Sequence, residues 1–423
     1  MRVMIATPDL YCDRYPEYTV NRTGFGLMVY DILDSMSKYA DTTVLSNKIT
    51  PGHSECGIAR HSYFDVLSGL RFQYLAEGVR DFLKYKNSLR NRCKYLFYKL
   101  NKGYIEKAIS EFKPDIVHIH SIAFSSIPYI EICEKMDIPF VTTLHGLVGI
   151  SDSTLATPED RALEKEFLKT LKEKNRFVTV VSSGIKRTIL EHYSGDVEER
   201  VAVVCNGTRL PDVALDVCSD TENVLLREEL DSLQVHPRFI VVGNICERKN
   251  QKQVVEAAEI LRSRANFIFS IMFCGRDTLD GRLQSMINER SLADIVKCAG
   301  VLDRTDLDAV YQWADFNIVA SLDEGFGLSM VESMARGLPT VAFDDLDAVQ
   351  DLYSPDSMYL VKERTADSLA AALLEAVNRR WDRDAIKLRA KQYSLEVMSE
   401  RYLDEYAAVL DQYQKIKDGN SGR

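Results

Sequence analysis

Two rhythms of apolar residues alternate along this chain. Short runs rich in apolar and β-branched residues, the mark of strands buried on both faces, occur at Val3 to Ala6, Asp115 to His120, Phe140 to Leu144, Phe177 to Val181 and Val201 to Val204. Between them lie stretches with apolar residues every third or fourth position, the mark of amphipathic helices. One starts at Gly24 and runs through Met28, Ile32, Leu33 and Met36. Another starts at Thr157-Pro158, with threonine as cap and proline at the first helical position. The rhythm fades from Leu210 to Gln234, an acidic stretch that reads as a linker, and then resumes. Runs at Phe239 to Val242, Phe267 to Phe273, Val296 to Ala299 and Phe316 to Ala320 alternate with helical patterns. These cover Gln251 to Arg262, Leu283 and Ile287, and Leu307 and Trp313. The chain closes on a helical pattern from Leu395 to Ile416, apolar at Leu395, Met398, Tyr402, Tyr406 and Leu410. Strands alternating with helices predict an α/β fold with parallel, doubly wound sheets.

At 423 residues the chain exceeds one ordinary core. The expected division is a first α/β domain over 1–212, a second over 213–393, and a terminal helix over 394–423. No apolar run approaches the roughly 18 residues of a membrane helix, and Met1 to Pro8 reads as a first strand, with too short an apolar stretch for a signal peptide. The nine cysteines include no C-x-x-C pair, which suits reduced thiols in a cytoplasmic protein. The net charge of −10 is uneven: residues 1–215 are near balance and the acidic excess lies beyond them. An acidic second half argues against a general grip on nucleic acid.

The densest chemistry lies at Glu324-Gly325-Phe326-Gly327-Leu328, followed by Glu332 and a stop at Gly337 and Pro339. A strand, a glycine turn, a helix, a glycine stop and a strand form one parallel α/β unit. Its turn falls at the carboxyl edge of the sheet, where open α/β sheets bind ligands. Free N–H groups at a helix start donate to ligand oxygens, and Gly325 and Gly327 allow close backbone approach. Carboxylates accept from vicinal hydroxyls. Glu332 lies about two turns beyond Glu324, so the two reach different ends of an elongated ligand.

This segment resembles the signature of the retaining GT-B glycosyltransferases of family 4, with Ser333 and Thr340 as small or β-branched departures. The resemblance implies a GT-B fold, in which two Rossmann-like domains flank a cleft and the last helix crosses back to the first domain. It also implies transfer of a sugar from a nucleotide-sugar, a UDP- or GDP-sugar, to an acceptor hydroxyl with retention of configuration. The acceptor would be a glycan, a glycolipid or a protein, as in cell-surface polysaccharide or glycoconjugate synthesis.

Further motifs extend it. Gly243-Asn244 through Arg248-Lys249 follows a strand and precedes a helix. Cations aimed there would stabilise a leaving nucleoside diphosphate. Lys249 matches the family's diphosphate lysine. Asn244 stands where the family usually has arginine, and Arg248 is the candidate second cation. Gly24 and Gly26 resemble the family's first-domain glycine loop, and a simple helix entry reads equally well from the residues alone. His145, just past a strand end, matches the family histidine that reaches the donor sugar; together with Glu324 and Lys249 it makes up the expected catalytic set. His118 and His120 share a strand face and read as structural, with His120 at most lining the acceptor side. Val301 and Leu302 resemble the element whose backbone meets the nucleotide base. Arg276 is read as close to the nucleotide or paired with Asp277.

Asp306 and Asp308, and Asp345 and Asp347, each spell D-x-D. Neither pair sits with the diphosphate elements, so no metal and no other cofactor is expected. Arg71 to Lys107 is rich in Lys, Arg and aromatics, with Glu77, Asp81 and Glu106 as its acids. It reads equally as an ordinary solvated face or as a peripheral contact with an anionic membrane at the inner face of the cell membrane. Two rival functions share the architecture: a nucleotide-sugar 2-epimerase and a non-catalytic nucleotide-sugar-binding protein.

Overall fold

The computed structural model describes residues 1–8, 10–11, 24–46, 70–84, 88–149, 157–193, 197–211, 223–233 and 235–421. They form two compact units. The first comprises Met1–Val181, Ile185–Asn206 and Leu395–Arg423; the second comprises Ser182–Gly184 and Gly207–Ser394. The division expected at 212 and 213, and Cys12, Cys56, Cys218, Tyr85 and Lys86, lie outside the described residues.

The first unit holds a six-stranded sheet of β1 (Arg2–Thr7), β2 (Asp41–Ser46), β3 (Ile116–His120), β4 (Phe140–Leu144), β5 (Phe177–Val180) and β6 (Val201–Val203). Its order is β2-β1-β3-β4-β5-β6, every pair parallel. The middle strands are buried along their length, in keeping with their apolar and β-branched residues. The edge strand β2 was not legible in the sequence: its DTTVLS pattern is half polar and its burial incomplete. The helix predicted at Thr157 begins at Pro158, and Thr157 and Asp160 close a capping box around its first turn. The final helix, Leu395–Ser421, packs into this same unit, where Ser35 donates to the carbonyl of Leu395.

The second unit holds β7 (Arg238–Val242), β8 (Ser270–Cys274), β9 (Val296–Gly300), β10 (Phe316–Val319), β11 (Thr340–Phe343) and β12 (Met358–Val361). These are parallel in the order β12-β11-β10-β7-β8-β9. Phe239, Val241, Ile271 and Phe273 pack on one face of the sheet, and Ile240, Met272 and Cys274 on the other. Two expectations change here. β8 begins at Ser270 rather than Phe267. The stretch read as a linker contains a helix, Val224–Ser232, which Asn223 caps by accepting from the Leu226 N–H. Leu226 and Leu233 anchor it in the core, so two well-placed leucines suffice where the sequence periodicity is poor.

Each sheet reverses its winding once. In the first the reversal falls between β1 and β3, and in the second between β7 and β10. The carboxyl ends of those strands are where an open α/β sheet presents a ligand crevice.

Candidate active site

In the second unit, the β7 and β10 ends bring Lys249, Arg248 and Glu324 together. The chain leaves β7 at Gly243, makes a 3-10 turn over Glu247–Lys249, and enters the helix Gln251–Arg264. Lys249 Nζ donates to Glu324 Oε2 at 2.6 Å, and Arg248 lies 3.7 Å from the same oxygen. Arg248 also donates to the Asp323 carbonyl, while its own carbonyl accepts from the Leu322 N–H. The two loops are thus tied side chain to backbone. Burial would raise the Glu324 pKa, but Lys249 and Arg248 overcome it and hold the carboxyl below its usual range.

This backbone geometry depends on glycine at one contact above all. A Cβ on Gly275 would lie 2.2 Å from the Gly243 carbonyl oxygen, so the ends of β7 and β8 could not close. Gln251 braces the same loop, donating to the Asn244 carbonyl and accepting from the Cys246 N–H.

Glu324 leads into Gly325, Phe326 and Gly327. Phe326 is buried with its ring edge-on to Tyr393. Gly327 caps the helix Leu328–Ala335 at φ +77°, a conformation that other residues adopt only with strain. Glu332 lies on that helix and accepts from the Tyr311 hydroxyl at 2.6 Å. Burial and the adjacent carboxylate keep this phenol protonated, its pKa well above the usual value. Tyr311 is a site residue that the sequence reading missed. A buried tyrosine on a helix needs a hydroxyl partner, and that was the available signal.

The remaining second-unit candidates frame this cluster less tightly. Asn244 is exposed, and its carbonyl accepts from Gln251. Val301 and Leu302 follow Gly300 at the end of β9, with Val301 half exposed. Arg276 is exposed at the end of β8, and its pairing with Asp277 does not occur. The Asp277 carboxylate instead accepts from the Leu279 and Gly281 N–H groups. Asp308 is engaged by Arg336, and Asp345 by both arms of Arg364.

In the first unit, the β3 and β4 ends carry a chain of buried polar groups. The β3–β4 register sets His118 opposite Val141 and His120 opposite Thr143. His118 shares hydrogen bonds with Tyr406 through Nδ1 and with Thr143 through Nε2, both at 2.6 Å. His120 Nδ1 lies 3.0 Å from His145 Nε2. His120 Nε2 and His145 Nδ1 are buried and have no partner among the described residues. Phe25, between Gly24 and Gly26 at the start of the helix Gly24–Met36, sets its ring edge against His145, 5.2 Å between centroids. Burial lowers the pKa of His145 to about 3, and that of His118 likewise. His145 is therefore a neutral imidazole that can donate or accept, without charge. Its contact with His120 was not legible in the sequence, because it depends on strand register.

Within the basic stretch 71–107, the described residues include the helices Phe72–Lys84, Leu89–Leu100 and the greater part of Lys102–Phe112. Several of its cations are engaged internally. Lys102 is buried between Glu77 and Glu131, Lys99 meets Glu131 and Asp81, and Arg71 meets Glu106. Among the described residues, no helix is long and apolar enough to cross a membrane.

Comparison with known proteins gives this geometry a context. Residues 226–393 match the model for glycosyl transferases group 1, and residues 65–210 match that for Glycosyltransferase Family 4. A D-inositol 3-phosphate glycosyltransferase of Xylanimonas cellulosilytica is 27% identical over 285 residues, which span 66% of this chain and 66% of that protein. A glycosyltransferase structure from Rickettsia africae superposes with a TM-score of 0.68 at 18% identity, covering 96% of this chain and 98% of that one. HepE of Anabaena, solved in complex with UDP, gives 0.64 at 13% identity over 96% and 100% of the two chains.

Proposed function

We propose that this chain, whose residues 226–393 and 65–210 match the models for glycosyl transferases group 1 and Glycosyltransferase Family 4, moves a sugar from a nucleotide-sugar to an acceptor hydroxyl with retention of configuration. The observation that carries this reading is the Lys249–Glu324 contact at the winding reversal of the second sheet, beside a glycine-capped helix start. A nucleoside diphosphate has a place for each part of that arrangement. Lys249, with Arg248, meets the diphosphate, and the N–H groups at Gly327 and Leu328 add donors at the same edge. Glu332, oriented by Tyr311, accepts from the ribose hydroxyls. Glu324 takes the sugar hydroxyls once its lysine turns to the phosphate. UDP leads the donor candidates because HepE, of like fold, is seen with UDP.

In the reaction, the bond from the sugar's anomeric carbon to the diphosphate oxygen breaks, and its electron pair goes to that oxygen. The acceptor oxygen bonds to the same face of the carbon, and its proton passes to the departing phosphate. Fixed cations lower the barrier most where charge develops, at the leaving oxygen. His145, neutral at working pH, suits a sugar hydroxyl better than a phosphate. Lys249 and Arg248 supply positive charge without a metal, and Asp308 and Asp345 are already engaged by arginines.

The test is a thermal-shift screen of UDP- and GDP-sugars, followed by turnover assays in excess EDTA. A ligand at 100 times its Kd adds about 2.7 kcal/mol of stability. Transfer that needs an acceptor and survives EDTA supports the reading. Conversion of the donor without any acceptor would instead make the protein an epimerase, and binding without turnover would make it a sensor. Activity lost in EDTA and restored by Mg²⁺ would overturn the metal-free assignment.

A further inference from the structure

In the first unit, His120 and His145 share a single hydrogen bond, 3.0 Å from His120 Nδ1 to His145 Nε2. Burial keeps both rings neutral, so this contact holds one proton. The two outer nitrogens must then differ in kind. If His120 donates, His120 Nε2 carries a lone pair and His145 Nδ1 an N–H; if His145 donates, the roles reverse. Neither outer nitrogen has a partner among the described residues. Orphaned buried N–H groups are rarer than under-satisfied acceptors, so the outer N–H belongs where a ligand oxygen can meet it. His120 is wholly buried in β3, whereas His145 is half-buried on the loop past β4. The outer N–H therefore sits on His145, and His120 is the donor between them.

We propose that His120 is a positioning residue for His145: it donates Nδ1–H to His145 Nε2, and so presents His145 Nδ1–H as a fixed, uncharged donor to an oxygen of the transferred sugar. The inference rests on the reading above that His145 meets the sugar. Which ring nitrogen carries the proton is set by the hydrogen bond that the other makes. A neutral imidazole left to itself favours Nε2–H, which would turn an acceptor toward the sugar in place of a donor. The surroundings hold His120 to this task. The His118 ring lies against it, 4.1 Å between centroids, and His118 is itself tied at both nitrogens, to Tyr406 and Thr143. Past His145, Glu164 accepts from the Val148 and Gly149 N–H groups at 3.2 and 2.6 Å, which holds the backbone of that loop. The rotation of the His145 ring and the place of its proton remain open, and His120 sets both. A donor aimed in advance needs no reorganisation during the reaction.

The experiment isotope-labels the histidine rings of the full chain and reads their long-range proton–nitrogen correlations at neutral pH, with nothing bound. The chain has seven histidines, few enough to assign each by the signal that its own variant loses. In the wild type His145 should carry its proton on Nδ1, and in His120→Leu the proton should move to Nε2. His120→Asn, whose amide N–H stands where Nδ1–H stood, should keep it on Nδ1. Turnover is read with the nucleotide-sugar that the thermal-shift screen selects. In His120→Leu kcat should fall about tenfold, the worth of one well-aimed hydrogen bond in the transition state. KM for that nucleotide-sugar and UDP affinity by calorimetry should stay near wild type, and His120→Asn should recover most of the rate. A wild-type His145 protonated on Nε2 would overturn the proposal, as would an unmoved proton in His120→Leu. So would a His120→Asn variant that keeps the proton on Nδ1 and is as slow as His120→Leu. If His120→Leu does not fold, the wild-type spectrum and His120→Asn still decide. The spectra need no turnover: the expected proton positions in a protein that transfers no sugar would refute the transferase reading and uphold the aim that His120 gives His145.

Discussion

The two sheets present their ligand edges in opposite electrostatic states. At the β7 and β10 ends of the second, a carboxylate is kept ionised between Lys249 and Arg248. At the β3 and β4 ends of the first, burial keeps three histidines neutral: His118 is linked to threonine and tyrosine hydroxyls, and His120 lies against His145. Both arise from one topology, a parallel sheet that reverses its winding. The side chains at the strand ends, not the fold, decide what each edge binds. A charged edge suits a diphosphate whose charge grows as its bond to sugar breaks. A neutral edge suits hydroxyl groups, which gain nothing from a full charge, and the unpartnered His120 Nε2 and His145 Nδ1 leave it hydrogen-bonding capacity to offer them.

The strongest way to break the comparison is to remove charge from the second edge. Lys249→Met takes away the cation at the diphosphate and leaves Glu324 without its short contact. Transfer should fall about 10²–10³-fold in kcat, the usual loss for one fixed donor at a developing anion. Glu324→Gln should lose turnover to a similar degree while nucleoside diphosphate affinity, read by calorimetry, stays within a few fold. Near-normal turnover in either variant would move the chemistry elsewhere.

Acid should separate the two units. His118 and His145 have folded pKa values near 3, below the ordinary unfolded value of about 6.5. The unfolded chain therefore takes up protons first as pH falls, and stability is lost progressively from pH 6.5 down toward 3. At pH 5 each contributes a loss of about 2 kcal/mol. Glu324 behaves otherwise. Its folded pKa lies below its unfolded one, so its stabilisation persists above the unfolded value and fades only as pH falls through the folded one. Hydrogen exchange at pH 7 and pH 5 should show β3 and β4 losing protection while β7 and β10 keep theirs. Equal loss in both sheets would remove the histidines as the cause.

How much of this was legible in the sequence depends on what each feature needs. Strands buried on both faces announce themselves, and β1, β3, β4, β7 and β10 are rich in apolar and β-branched residues even where a histidine, threonine or asparagine interrupts the run. The edge strands β2 and β12 are only partly buried, so their sequences carry half the signal. Lys249, Glu324 and His145 each stood out by their places after strands. Their partners did not. Lys249 meets Glu324 only because β7 lies beside β10, although β8 and β9 come between them in the chain. His120 meets His145 only because of the β3–β4 register. The sequence thus exposes residues that sit at turns, and hides the contacts that a crossover creates.

A finer test concerns Glu332. Tyr311→Phe removes one hydrogen bond to its carboxylate and leaves the packing intact. Nucleotide affinity should weaken by roughly 1–2 kcal/mol, less than the roughly 1.5–3 kcal/mol expected of Glu332→Ala, because the carboxylate survives but is less well aimed. Equal affinities in wild type and Tyr311→Phe, with Glu332→Ala impaired, would reduce the tyrosine to a packing residue.

The smallest expected effect is also the most instructive about the second edge. Arg248 and Lys249 are neighbours in sequence and both face Glu324, but on different terms. Lys249 lies 2.6 Å from the carboxylate and is largely buried, whereas Arg248 lies at 3.7 Å with 40% of its side chain exposed. Exposed ion pairs contribute about 0–1 kcal/mol, because water already satisfies both charges and the long side chain must be held still. Arg248→Ala should therefore change nucleotide affinity by no more than about fivefold, with kcat nearly intact. Asn244→Arg restores a cation where the second unit has only an exposed asparagine, and should raise affinity in the Arg248→Ala background. If Arg248→Ala instead costs as much as Lys249→Met, Arg248 is the second diphosphate cation in full, and the asparagine at 244 is tolerated because the arginine beside Lys249 has taken over its work.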